Sequence, residues 1–144
     1  MPHIEVPCAY EQQDSYPHMS PVDKIIWDRF IHNHPDKFVR VWYDFRIGDE
    51  DPVPEELSAS VRSAWWDLSY WRVDVIGETA NHIYVIEVKP FANSKAIGQA
   101  LSYAAIFRTD EEPGLPVSPV VITDRIFPTT QRVADMLGVE LWVA

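Results

Sequence analysis

Asp74, Glu87 and Lys89 are the residues best placed to do chemistry in this chain of 144 residues. They lie in WRVDVIGETANHIYVIEVKP, two β-branched and aromatic runs joined by a short polar link. That composition predicts a hairpin, with one strand from Trp71 to Ile76, a turn GETAN starting at Gly77, and a second strand from His82 to Lys89 that stops at Pro90. Side chains alternate faces along a strand, so Glu87 and Lys89 share one face. A carboxylate and an ammonium at the end of the apolar run Ile83–Tyr84–Val85–Ile86 are costly to bury unless each finds a partner. A divalent metal and a phosphate would supply those partners. The hairpin brings Asp74 beside Glu87, giving two hard oxygen ligands of the kind Mg²⁺ takes, with positions left open for water and substrate. Further along, Lys95, Gln99 and Tyr103 recur every four residues and so share one face of a helix.

The elements that must position these groups follow from local signals. Residues 1–19 are interrupted by Pro2, Pro7 and Pro17 and show little periodicity, which predicts an extended arm, ordered against a partner. Ser20–Pro21 opens a helix, with Ser as N-cap, Pro at the first helical position and Asp23 three residues after the cap. Val22, Ile25, Ile26 and Phe30 mark its apolar face, and it should stop near His34–Pro35. Phe38–Phe45 reads as a strand, Gly48–Pro54 as an acidic turn and Glu55–Ser60 as a short helical turn. After the hairpin come a helix over Ser94–Phe107 with Ile97, Leu101 and Ala104 inward, a loop over Asp110–Pro116, and a short buried strand over Pro119–Thr123. A helix over Pro128–Leu137 then ends at Gly138, and a last strand spans Val139–Val143. The order α-β-β-β-α-β-α-β predicts an α/β domain with a mixed sheet flanked by helices, occupying residues 20–144.

Asp74, then Glu87-Val88-Lys89, then Gln99 and Tyr103 on the following helix resemble the PD-(D/E)XK nuclease superfamily. D-x12-E-x-K alone is a weak pattern. It gains weight because the acid-x-Lys closes an apolar strand and a Gln-x-x-x-Tyr found in some members follows ten residues later. Val73 stands where the proline of the family's name would be. The resemblance implies a restriction-endonuclease-like core, in which a helix precedes three antiparallel strands and a parallel strand follows the second helix. It also implies a Mg²⁺ (or Mn²⁺)-dependent DNA endonuclease that hydrolyses phosphodiester bonds with metal-activated water. Asp74 and Glu87, with the main-chain carbonyl of Val88, would hold the metal. Lys89 would orient the water or neutralise the phosphate, Gln99 and Tyr103 would position the backbone or support the ligands, and Arg72 and Lys95 are candidate substrate contacts. DNA is the expected partner.

Composition bounds this picture. The chain is 47% hydrophobic with six tryptophans, enough for one sizeable core, and no apolar run approaches the ~20 residues of a membrane span. The N-terminus lacks the basic and apolar regions of a secretion signal. Cys8 is the single cysteine, so a reducing compartment is the default: the cytoplasm, or a virion if the chain is phage-encoded. The net charge is −10, whereas proteins that bind nucleic acid unaided usually carry a basic footprint. The acids crowd two segments that read as solvated loops, Asp44 to Glu56 and Asp110 to Glu112, leaving Arg62, Arg72, Lys89, Lys95 and Arg108 to form a basic patch elsewhere. The small size, the arm and the acidity also suit a second function, that of a nuclease-fold component of a phage particle or larger DNA-processing assembly, with a homo-oligomer or larger complex as the expected state.

Each candidate has a plainer alternative. Asp74, Glu87 and Lys89 could form a structural ion cluster. The Lys95–Gln99–Tyr103 face could be merely polar and outward. Asp23 could add an acid to the site, although its capping-box position favours a capping role. Arg72 serves either a phosphate or a neighbouring acid. Trp65, Trp66 and Trp71 suit core or interface packing better than base stacking. His32-Asn33-His34 reads as a polar helix end rather than an HNH motif, and Asp49-Glu50-Asp51 lacks EF-hand spacing. Nucleotide-binding GxxxxGK[ST], esterase GxSxG and paired CxxC motifs are absent.

Overall fold

The computed structural model describes residues 6–49, 53–69 and 71–144, with backbone alone for 66–69. Its elements are α1 (Pro21–Asn33), β1 (Arg40–Ile47), α2 (Ala59–Ser69), β2 (Trp71–Glu78), β3 (Ile83–Phe91), α3 (Ser94–Glu111), β4 (Val117–Arg125), α4 (Pro128–Leu137) and β5 (Glu140–Val143). The strands form one sheet in chain order. β1–β2 and β2–β3 are antiparallel, while β3–β4 and β4–β5 are parallel, each parallel step crossing over through a helix. The fold is therefore α/β with a mixed sheet, as the order of local signals implied.

Two apolar layers sandwich the sheet. On one face, Trp27, Phe30 and Ile31 of α1 pack with Tyr16, Phe38, Val41, Tyr43, Val75, Ile86, Val88, Val120 and Ile122. On the other, α3 places Ala104 and Phe107 against Phe45, Ile47, Val73, Ile76, Ile83 and Val85. Ala96, Ile97 and Ala100 join α3 to Val121, to Ala134 of α4 and to Val139.

Several expectations need correction. An extra helix, α2, stands between β1 and β2, its first turn anchored by Ser58, whose Oγ accepts from the Val61 N–H at 3.4 Å. The buried stripe of α1 is Ile26, Trp27, Phe30 and Ile31, which leaves Val22 and Ile25 exposed, because α1 turns Trp27 rather than Ile25 toward the sheet. Gly77 belongs to β2, not to a turn, and the reversal falls at Thr79–His82. A side chain at Gly77 would meet the Phe38 ring at 2.6 Å, so only glycine lets that ring close over the strand. β3 runs past Pro90 to Phe91, in a region where it pairs with β4 alone. Asp110 and Glu111 form the last turn of α3 rather than a loop, with the Asp110 carboxylate accepting the Gly48 N–H at 3.2 Å. Residues 50–52 of the expected acidic turn lie outside the described residues.

The segment before α1 is extended, but from residue 8 it lies on its own domain. Cys8 exchanges two backbone hydrogen bonds with Val41, at 2.7 and 3.1 Å, and so covers part of edge strand β1. Tyr10 packs edge-on to Phe38, with its hydroxyl donating to the His34 carbonyl. Tyr16 is 5% exposed and donates to Asp28 at 2.5 Å.

Candidate active site

The β2–β3 ladder sets the geometry. Its last pair is Val75 with Ile86, and continuing the register would pair Asp74 with Glu87. At that step the strands part: β2 continues beside β1 only, and β3 beside β4 only. Side chains replace the missing ladder. Asp74 Oδ2 accepts the Val88 N–H at 2.9 Å, and Glu87 Oε1 takes the Asp74 N–H at 3.4 Å. The two carboxylates are thus neighbours in the opening, on the far side of the apolar runs that hold the strands.

Burial makes this pair electrostatically expensive. Glu87 is 3% exposed, the only buried acidic or basic residue among the described residues. Loss of water, and next the charge of Asp74, hold the Glu87 carboxyl well above the usual carboxylate range, with Lys89 pulling the other way. Asp74 is also raised, mainly by burial, against the opposing pull of the Val88 N–H and the charge of Lys89. The half-buried Lys89 acts on both acids yet makes no ion pair among the described residues.

α3 begins just beyond β3, where Asn93 caps it by accepting the Ala96 N–H at 2.9 Å. It brings Tyr103 over the acids: burial first, then the charges of Glu87 and Asp74, raise the phenol's pKa, while a hydrogen bond from Gln99 lowers it. The Gln99 Oε1 is buried without a hydrogen-bond partner. Asp74, Glu87, Lys89, Gln99 and Tyr103 are therefore brought together, and Lys95 is exposed one turn before Gln99. Trp71 tilts against Tyr103 at 5.6 Å between ring centres and is 49% exposed, and Trp65 is 39% exposed, so neither lies in the core.

Other candidates sit elsewhere. Arg72 donates to His18 Nε2 at 2.8 Å and to Asp44 at 3.4 Å, the neighbouring-acid arrangement, and its Nε is buried without a partner. Asp44 is not in a solvated loop but inside β1, with 15% of its side chain exposed. Arg108 stands thirteen residues beyond Lys95 on α3, about 20 Å away at 1.5 Å per residue, and donates to the Val117 carbonyl, which lies beside Ile83, six residues before Lys89 on β3, so it is held away from both lysines. Asp23 starts α1 with its N–H on Ser20 Oγ at 3.1 Å, yet its charge also reaches Asp74. Among the described residues no third Asp, Glu, His or Cys completes a metal-binding cluster. Two desolvated, neighbouring carboxyls beside an unpartnered amide oxygen nevertheless fit a hard cation that completes its shell with water. Sequence reasoning missed Asp44 and His18 as neighbours of the site; an acid in the middle of the strand run VRVWYDFRI was the available signal.

The overall fold is shared with solved structures. The fold is restriction-endonuclease-like. A repair endonuclease from Pyrococcus abyssi superposes with a TM-score of 0.51 at 18% sequence identity, over 92% of this chain and 49% of that one. EndoMS in a complex with dsDNA gives a TM-score of 0.50 at 16% identity, over 92% of this chain and 48% of that one. The chain thus spans about half the length of the structures it matches. No family model and no curated protein matches it.

Proposed function

We propose that this chain is a PD-(D/E)XK nuclease domain that hydrolyses DNA phosphodiester bonds with Mg²⁺ or Mn²⁺. The observation that carries this reading is the opening of the β2–β3 ladder at Asp74 and Glu87, which gathers two desolvated acids and the Lys89 ammonium where strand backbone would otherwise close the sheet. Asp74 and Glu87, with the main-chain carbonyl of Val88, would hold the ion. When bound, it would supply an activated water and neutralise charge on the phosphate.

The remaining work falls to side chains of this chain. Hydrolysis joins a water oxygen to phosphorus as a P–O ester bond breaks and the leaving oxygen takes a proton. Lys89 lies two residues beyond Glu87 and makes no ion pair among the described residues, which leaves its ammonium to orient the water or to stabilise charge on the phosphate as it builds. Gln99 and Tyr103 fix the wall opposite the acids. Lys95, exposed on the same helix face, is a contact for the DNA backbone. DNA in the EndoMS complex is consistent with this choice of substrate.

The test is nicking of supercoiled, linear, branched and single-stranded DNA with Mg²⁺ or Mn²⁺. Metal-dependent cleavage that Asp74→Asn and Glu87→Gln abolish supports the reading. Absence of cleavage on every substrate supports the assembly-component function, which the net charge of −10 favours.

A further inference from the structure

In a regular strand, residues two apart share a face. β1 and β2 break this rule at matching positions. Val41, Tyr43 and Val75 pack on the α1 side, whereas Phe45, Ile47 and Val73 pack on the α3 side. Both strands therefore turn over between the pairs Tyr43–Val75 and Phe45–Val73. The pivot is Asp44 opposite Asp74, a position left unpaired within an otherwise continuous register.

Asp44 has φ 49, a left-handed backbone in mid-strand. Such a conformation disfavours side chains, β-branched ones most of all, although Asp and Asn tolerate it. It persists only where the surroundings hold it. Here the Asp44 carboxylate lies 3.4 Å from the Arg72 guanidinium and 3.3 Å from His18 Nε2, and Arg72 in turn bonds His18. His18 is itself left-handed, with φ 53.

The consequence reaches the site. A side chain on a flat β2 would stand away from the plane of the sheet. The Asp74 carboxylate instead reaches the Val88 N–H, the donor that the β2–β3 ladder leaves free. We infer that Asp44 is a positioning residue: its left-handed backbone, held by Arg72, which His18 in turn orients, turns β1 and β2 over and thereby aims Asp74 into the gap beside Glu87. The backbone conformation is the active feature, so residues compatible with it should substitute. The inference deepens the proposed metal site but has a readout that does not depend on it.

The experiment compares Asp44→Asn, Asp44→Gly and Asp44→Val in the full chain. The first readout is amide hydrogen exchange at Val88 in metal-free protein, taken relative to Val85 so that global stability cancels. Asn and Gly should keep the Val88 protection within about threefold, and Val should lower it about tenfold, the scale set by the cost of a left-handed residue. The second readout is Mn²⁺ affinity by calorimetry, which should follow the same order. If Asp44→Val does not fold, Asp44→Ala takes its place under the same criterion. Val88 protection that follows Val85 in all variants overturns the inference. If wild-type protein binds no Mn²⁺, the metal-site reading fails, while the exchange ratios still decide the role of Asp44.

Discussion

Removing one acid from the site should stabilise the metal-free protein. Glu87 is 3% exposed and lies against Asp74, and both carboxyls are raised by burial and, for Glu87, by its neighbour's charge. Were both acids ionised at a contact separation of about 4–5 Å, an effective dielectric of about 20 would put their repulsion at about 3–4 kcal/mol, an upper bound because Glu87 is held toward its protonated form. Glu87→Gln keeps the shape and an oxygen for the Asp74 N–H while removing the charge, so a net gain of about 2 kcal/mol is expected once imperfect hydrogen bonding is allowed for. For a chain of this size that is a rise of roughly 6–8 °C in melting temperature. Because the folded-state values are raised, the native protein holds more protons than the unfolded chain above the usual carboxylate range. Metal-free wild type should therefore lose stability as pH rises from about 4.5 through the raised values, and Glu87→Gln should flatten that slope. Mn²⁺ at a hundred times its dissociation constant should stabilise wild type by about 2.7 kcal/mol and leave the variant unmoved. Thermal melts in EDTA and in MnCl₂ across pH give all four quantities. A Glu87→Gln variant that melts below wild type in EDTA and shifts equally with Mn²⁺ would show that the two acids neither strain the metal-free fold nor hold the ion.

Three further outcomes follow from the same geometry. Lys89→Ala should lower the cleavage rate by two or more orders of magnitude while DNA affinity stays within a few-fold, since the charge acts in the transition state; single-turnover kinetics beside binding titration check this. With Arg72 engaged by Asp44 and Arg108 about 20 Å along α3, Lys89 and Lys95 are the cations flanking the acids, so DNA binding should be weak, with a log–log salt slope of only about −2. Deletion of residues 2–17, which the extended-arm reading expects to spare the fold and remove only partner binding, should destabilise the domain, because it removes Tyr16 and Tyr10 from the α1–β1 layer; Tyr16→Ala alone should cost about 3 kcal/mol by denaturant titration.

Legibility in the sequence tracked how local each signal was. The hairpin carrying Asp74 and Glu87 stood out because two β-branched runs flanked a short polar link, and the helix bearing Gln99 and Tyr103 because its apolar spacing and caps agreed. Other features depended on contacts distant in sequence. Gly77 looked like a turn residue and is a strand residue, because Phe38 lies on it. The apolar stripe of α1 had two possible registers, and the sheet selected the one containing Trp27. α2 was hidden in a serine- and tryptophan-rich stretch without a clear apolar period. Asp44 read as one of a run of solvated acids, since no sequence pattern announces that a strand will turn over there. Arg72 looked level with Asp74 by spacing, and that same reversal sends it to His18 and Asp44 instead.

The central claim is that Asp74 and Glu87 together hold a divalent ion. Calorimetric titration of Mn²⁺ into wild type, Asp74→Asn and Glu87→Gln addresses it most directly. Wild type should bind Mn²⁺ weakly at one site and neither variant should bind it, with all three proteins folded. Equal Mn²⁺ affinity in all three would contradict it.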